Sequence, residues 1–247
     1  MRNFAGAYIL LGFSGTVGQS AAAPAFPQDT VPAFHEFDYL LRTKDADYWD
    51  MSEFYLPQST NCGCSAASVA MALNTLRSRV TPDEAPLSES DLLAAVNDPA
   101  WAALTAEDGG GVTMADLEGI LRLSLDRLDL GGAVRALAPD PEDPTTIEDL
   151  RAALAHNEAS PESVMLAYYN QAVVTGDPSG GLHVSPVGAY NAEEDRVLLM
   201  DVDHECWLPY WTSTEILFDA LLTPDPREDG ALANATGGCL VISAAAA

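Results

Sequence analysis

Basic side chains are scarce: 11 Lys and Arg stand against 37 Asp and Glu, a formal net charge of −26 over 247 residues. A surface this acidic repels phosphate backbones and anionic headgroups, which excludes nucleic acid and charged lipid as main partners. No regular carboxylate repeat accompanies the excess, so it reads as a solvated coat and not as a metal-buffering surface. Long apolar runs are missing after the first residues, and with them any later membrane span. The four cysteines, Cys62, Cys64, Cys206 and Cys239, are too few for a disulfide scaffold at this length. They also lack the paired C-x-x-C spacing of a structural zinc site. Internal repeats are absent, as are low-complexity tracts other than the terminal "AAAA".

What remains is a globular composition, 48% apolar and 19% charged, long enough to bury a full core. The first residues have the marks of an export signal: Arg2, the short apolar stretch "FAGAYILLGFSGTV", then "SAAAPA" with small-residue cleavage sites near Ala22 or Ala25. The expectation is a signal over residues 1–25 and a single catalytic domain over 26–247, exported, most simply to a bacterial periplasm. Retention of the segment as an N-terminal anchor is the alternative. In an oxidising compartment Cys206 and Cys239, both near the β-rich half, are expected to form a disulfide.

Patterning divides the chain into two halves. "AFHEFDYLLRTKDADYWDMSEFYL" reads as one or two short helices, and residues 64–79 as a strong one. Three more helices announce themselves with caps: Ser88 before Asp91, Thr113 before Asp116, and Thr145 before Glu148. The proline-rich, acidic "APDPEDP" is a loop. After residue 160, "SVMLAYYN", "HVSPVGAYN" and "DRVLLMDV" are β-rich, with "NAEED" as a turn; "STEILFDALL" is a further helix and "GCLVIS" a last strand. The fold class is α+β: a helical N-terminal half packed on an antiparallel sheet from the C-terminal half.

The chemistry gathers around "QSTNCGCSAASVAMALNTL". A thiol attacks a carbonyl only as thiolate, and a helix N-terminus or a nearby imidazole favours that form. Cys64 sits where the helix begins, whereas Cys62 lies two residues earlier in the loop. Of the four histidines, His35 and His156 stand in polar contexts, while His183 follows "GDPSGG" and opens a β-run, a good way to present a side chain at a cleft edge. A hairpin through "NAEED" brings Asp201 toward His183, where its carboxylate fixes the tautomer and stabilises the imidazolium. Gln58, six residues before Cys64, offers an amide N–H to an oxyanion, alongside a backbone N–H at the helix start. Asp201, Asp203, His204 and Glu205 together also read as a metal-binding cluster, and His204 competes with His183 as base.

These blocks resemble the phytochelatin synthases, in particular their short bacterial members. "YWDMSEFYLPQSTNCGCSAASVAMALNTL", "HVSPVGAYNAEEDRVLLMDV" and "LPYWTSTEILFDAL" are similar to three successive family blocks, covering roughly residues 46–243. The resemblance places the catalytic cysteine at Cys64 and the histidine and aspartate at His183 and Asp201. It implies a papain-like fold and attack on the Cys–Gly bond of glutathione. A γ-Glu-Cys acyl-enzyme then gives γ-Glu-Cys or short phytochelatins, with no cofactor needed for the chemistry. Cd²⁺ or Zn²⁺ enter as glutathione thiolates or activators, and a homodimer is left open.

The chain departs from the pattern in places. Ser65 and Leu182 stand where glycines are usual. Two arginines expected to pair with substrate carboxylates are replaced, by Gln171 and by Thr236 or Gly237. Two other readings are therefore kept: an exported papain-like peptidase acting on another γ-glutamyl or cell-wall peptide, and a non-catalytic metal-binding module using Cys62, Cys64, His204 and Cys206.

Overall fold

Residues 64–80 contain neither proline nor glycine, and in the computed structural model Cys64–Val80 is one unbroken helix, α3 in chain order. Its small residues Ser65, Ala66, Ala67, Ser68, Ala70 and Ala72 are all buried, so its backbone lies close to the sheet. Ser68 Oγ donates to the Val184 carbonyl at 2.9 Å across that contact. The structure describes residues 26, 27, 29–44, 46–138 and 146–245. The signal reading of residues 1–25 and nearly all of the "APDPEDP" loop lie outside the described residues.

The segment before α3 is more broken than one or two helices. It runs through strand β1 (Thr30–Pro32), helix α1 (Phe37–Arg42) and helix α2 (Tyr48–Met51), with tight 3₁₀ turns at Ala33–His35 and Ser52–Phe54. After α3 come α4 (Glu89–Val96), α5 (Pro99–Leu104), α6 (Met114–Arg127), β2 (Ala133–Leu137) and α7 (Ile147–Glu158). Capping boxes start α4 at Ser88 and Asp91, and α6 at Thr113 and Asp116. The third box is shifted by one residue from the expected pair, to Thr146 and Asp149. Both registers satisfy the capping pattern, and the one adopted buries Leu150, Ala153 and Leu154. Helix α5, capped by Asp98, is too short to show a period in the sequence.

The remaining elements are β3 (Ser163–Asn170), α8 (Gln171–Thr175), β4 (Leu182–Asn191), β5 (Arg196–Leu199), β6 (Tyr210–Ser213), α9 (Thr214–Leu222) and β7 (Gly238–Ser243). The strands form one sheet in the order β1-β6-β5-β4-β3-β7-β2, each neighbour antiparallel. The class is α+β, but two details correct the expected arrangement. The outer strands β1 and β2 come from the N-terminal half. The sheet is also covered on both faces, so helices do not form a single layer.

Strand β3 makes this visible by alternation. Val164, Leu166 and Tyr168 pack with buried residues of α3, α4 and α6, while Met165, Ala167 and Tyr169 pack with Leu150 and Leu154 of α7 and Leu217 and Leu221 of α9. A strand buried on both faces reads as a continuous apolar run, as "SVMLAYYN" does. No helix among the described residues is long and apolar enough to cross a membrane. The start of α3, the start of β4 and the β3–α8 junction meet at one end of the sheet, and the site is built there.

Candidate active site

Helix α3 opens at Cys64, with Gly63 at the N-cap and no side chain capping it. The first N–H groups of a helix have no partner inside it, so this end favours negative charge on Cys64 and can donate to an anion. The approach loop is tied down residue by residue. Gln58 N–H donates to the Val202 carbonyl at 2.8 Å, and Gly63 N–H to the Thr60 carbonyl at 3.1 Å. Thr60 Oγ1 donates to the Thr105 carbonyl at 2.5 Å, and Asn61 exchanges hydrogen bonds of 3.0 and 2.9 Å with Asp108.

His183 is the second residue of β4, paired across the sheet with Tyr169. Its Nε2 lies 3.0 Å from Asp201 Oδ1, and both side chains are buried. That contact leaves Nδ1 as the ring nitrogen free for the Cys64 side chain, which is among the groups that act on the imidazole. Burial disfavours the charge on His183, but the Asp201 carboxylate and the Cys64 side chain outweigh it and hold the imidazole well above its ordinary value. For Asp201, burial pushes the carboxyl up, and the charge of His183 with several donors brings it below the usual range.

Those donors are residues the motif reading did not single out as partners of Asp201. Asp201 Oδ1 also accepts from Asp203 N–H at 2.9 Å. Oδ2 accepts from Tyr210 Oη at 2.8 Å and Gln171 Nε2 at 3.0 Å, with Tyr169 Oη at 3.3 Å. Tyr55 Oη donates to the Asp201 backbone carbonyl at 2.6 Å. A carboxylate with this many donors is fixed in orientation and stays ionised. Gln171, read in sequence as standing in for a substrate-binding arginine, thus spends its amide on the aspartate. Gly237, one of the two candidates for the other such position, has no room for any side chain: a Cβ there would sit 1.9 Å from the Tyr168 carbonyl oxygen.

Cys64 and His183 open on a cleft of about 450 Å³, which Gln58, Cys62, Cys206 and Arg227 also line, and Asp201 lies buried behind the imidazole. Gln58 faces it with an amide whose buried Oε1 has no internal partner. A second recess of about 400 Å³ adjoins across Gln58 and adds Glu107, His204 and Glu205. Arg227 is the cation that sequence reasoning missed. Its Nε and Nη2 donate to Asp225 at 2.8 and 3.0 Å and its Nη1 to the Gly110 carbonyl at 3.1 Å, leaving two of its five N–H groups for a ligand. Asp225 also accepts from Leu182 N–H at 3.1 Å, which ties the residue before His183 to this side of the cleft. Neither residue belongs to a recognisable motif.

Other expectations need correction. All four cysteines are free: Cys206 is exposed beside the cleft, Cys239 is buried in β7, and no Cys206–Cys239 disulfide forms. Asp201, Asp203, His204 and Glu205 do not converge, because Asp201 turns inward to His183 while His204 lines the second recess. Among the described residues, no three His, Cys, Asp or Glu side chains are grouped so as to hold a metal ion. His35 and His156 are exposed and away from the cleft. Ser65, which stands where glycine is usual, accepts a 3.0 Å hydrogen bond from the Trp101 indole and so anchors α5 to α3.

The arrangement of thiol, imidazole and carboxylate can carry out nucleophilic acyl transfer, and comparison with known proteins points the same way. Residues 37–231 match the family model described as phytochelatin synthase. Glutathione gamma-glutamylcysteinyltransferase 1 of Triticum aestivum is 35% identical over 83 residues, 34% of this chain and 16% of that protein. Glutathione gamma-glutamylcysteinyltransferase 2 of Arabidopsis thaliana is 34% identical over 77 residues, 31% of this chain and 17% of that protein. The matched stretches thus span about a sixth of these relatives' lengths. The family match covers more than half of the chain, and the chain belongs to the phytochelatin synthase family.

Proposed function

From that membership and the geometry of the cleft, we propose that the protein is a papain-like acyltransferase acting at the Cys–Gly bond of glutathione. Cys64 is the nucleophile, His183 the general base and then acid, Asp201 its orienter and Gln58 an oxyanion donor. The observation that carries this reading is that Cys64 and His183 line one cleft and that His183 is paired with a buried, fully donated Asp201.

The steps follow from these contacts. His183 Nδ1 takes the thiol proton, and the resulting imidazolium is stabilised by Asp201 through Nε2–H. The Cys64 thiolate adds to the carbonyl carbon of the Cys–Gly peptide. The oxygen that becomes negative is held by the Gln58 amide and the N–H groups opening α3, donors already in place before the charge develops. The imidazolium then gives its proton to the departing glycine nitrogen, the C–N bond breaks, and a γ-Glu-Cys thioester remains on Cys64. Water or the amine of a second glutathione, deprotonated by His183, attacks the thioester and frees Cys64. Water gives γ-Glu-Cys, and the amine gives a short phytochelatin. Arg227 supplies the nearby positive charge for a substrate carboxylate. Cd²⁺ or Zn²⁺ act as partners of the substrate thiol in this scheme. Residues 1–25 are read as an export signal that delivers the enzyme to the periplasm.

The test is release of glycine from glutathione by the purified protein, with and without Cd²⁺. Wild type is expected to release glycine and Cys64→Ala to release none. Undiminished release by Cys64→Ala, or none by wild type, would overturn the assignment. A product longer than γ-Glu-Cys would separate synthase from hydrolase, and a mature N-terminus near residue 25 in periplasmic protein would test the signal.

A further inference from the structure

A buried carboxylate stands behind the loop that carries Gln58, and the proposed chemistry does not use it. Glu89, the first residue of α4, is 8% exposed. Its recorded hydrogen bonds all go to Ser59, the residue after Gln58. Ser59 N–H reaches Oε1 at 3.2 Å and Oε2 at 3.3 Å, and Ser59 Oγ donates to Oε2 as well. Burial pushes the Glu89 carboxyl up, Ser59 pulls it back down, and no cation is among the groups that act on it. A buried carboxylate without a cation is costly to the fold. The start of α4 on which Glu89 stands favours its charge, and its side-chain hydrogen bonds run out of the helix to the loop that carries Gln58.

Glu89 holds one side of Gln58. The other side is held by the 2.8 Å bond from Gln58 N–H to Val202 O, the residue next to Asp201. Gln58 is thus tied on one side to the aspartate's segment and, through Ser59, on the other to α4. An oxyanion donor acts only if its N–H sits within hydrogen-bond distance of the developing charge, and displacement by about 1 Å can cost a hundredfold in rate. We infer that Glu89 is a positioning residue: by fixing Ser59 it sets the place of the Gln58 amide in the oxyanion site. This rests on the proposed role of Gln58 as oxyanion donor.

A double-mutant cycle tests it, with kcat and KM for glycine release from glutathione and the rate of Cys64 alkylation by iodoacetamide. Gln58→Ala is expected to lower kcat by about a hundredfold. Glu89→Ala is expected to lower kcat by roughly ten- to a hundredfold. KM should stay within about a factor of two and the alkylation rate should be unchanged, because the thiol and imidazole are not displaced. In the Gln58→Ala background, Glu89→Ala should add almost nothing, since it acts through the missing amide. Glu89→Gln keeps one acceptor for Ser59 and should retain part of the lost kcat; it carries the cycle if the alanine variant does not fold. An unchanged kcat in Gln58→Ala overturns the oxyanion role and this inference together. A lowered kcat there, with the Glu89 effect undiminished in the double variant, overturns this inference alone, as does a Glu89 variant that changes only KM.

Discussion

Replacing Asp201 by Asn keeps the shape of the side chain and removes its charge. At the 3.0 Å separation from His183 Nε2, two unit charges attract by roughly 5 kcal/mol at an effective dielectric near 20. Desolvation of the buried ring opposes the imidazolium and is no longer offset once that attraction is gone. The imidazole then falls back toward its ordinary value and holds a proton taken from the thiol less well. Asn also turns one donor toward Tyr210, Gln171 and Tyr169, all of which donate to Oδ2 in the wild type. The expected result is a fall in kcat/KM of about three to four orders of magnitude. Glycine release, followed between about pH 5 and 9, would measure it, with a thermal melt to confirm that the variant is folded. A folded Asp201→Asn within about tenfold of wild type would refute the reasoning.

Arg227→Ala should raise KM for glutathione about tenfold at unchanged kcat, and Arg227→Lys should not restore it, because an ammonium cannot keep the two-point contact with Asp225; an unchanged KM would count against Arg227 as a substrate contact. Asp47 is 5% exposed, and burial pushes its carboxyl up to about 6 despite Arg79 and Asn157. A raised carboxyl binds its proton more tightly when folded, so its contribution is full below the ordinary value near 4 and is lost as pH rises through 6. Asp47→Asn should therefore gain on wild type by about 3 kcal/mol between about pH 4 and 7 in denaturant unfolding, and parallel curves would refute this. Under non-reducing conditions the native protein should show Cys206 as a free, accessible thiol, slow to react because burial and Asp203 push it up. Cys239, buried and pushed up to about 12, should react only after unfolding. Recovery of a cross-linked Cys206–Cys239 peptide would contradict the structure.

The parts of the site legible in sequence were those with a local signature. Cys64 could be placed because the helix start and the spacing to Gln58 are both short-range features. His183 and Asp201 could be paired because a hairpin joins them. The partners of Asp201 could not be read, since Tyr169, Gln171 and Tyr210 reach it through sheet pairing and the β3–α8 turn, contacts set by tertiary packing. Arg227 lay in a segment without periodicity or motif, and Glu89 in a capped helix start, where an acidic residue is expected and gives no sign of a partner outside the helix. In the fold, long periodic segments such as α3 were visible. β1, β6 and α5 span three, four and six residues, too few to show a period. The one-residue shift at Thr146 shows how a repeated capping pattern leaves the choice to core packing.

The wide separation of Cys64 from His183 and Asp201 along the chain has a consequence for synthesis. Cys64 leaves the ribosome more than a hundred residues before His183, and the surroundings of Asp201 are complete only when β3, β6 and the Tyr55 segment have closed around it. Until that closure Cys64 stands at the start of a nascent helix with no imidazole beside it. In the proposed scheme a half-made molecule therefore carries the thiol without the base that would activate it.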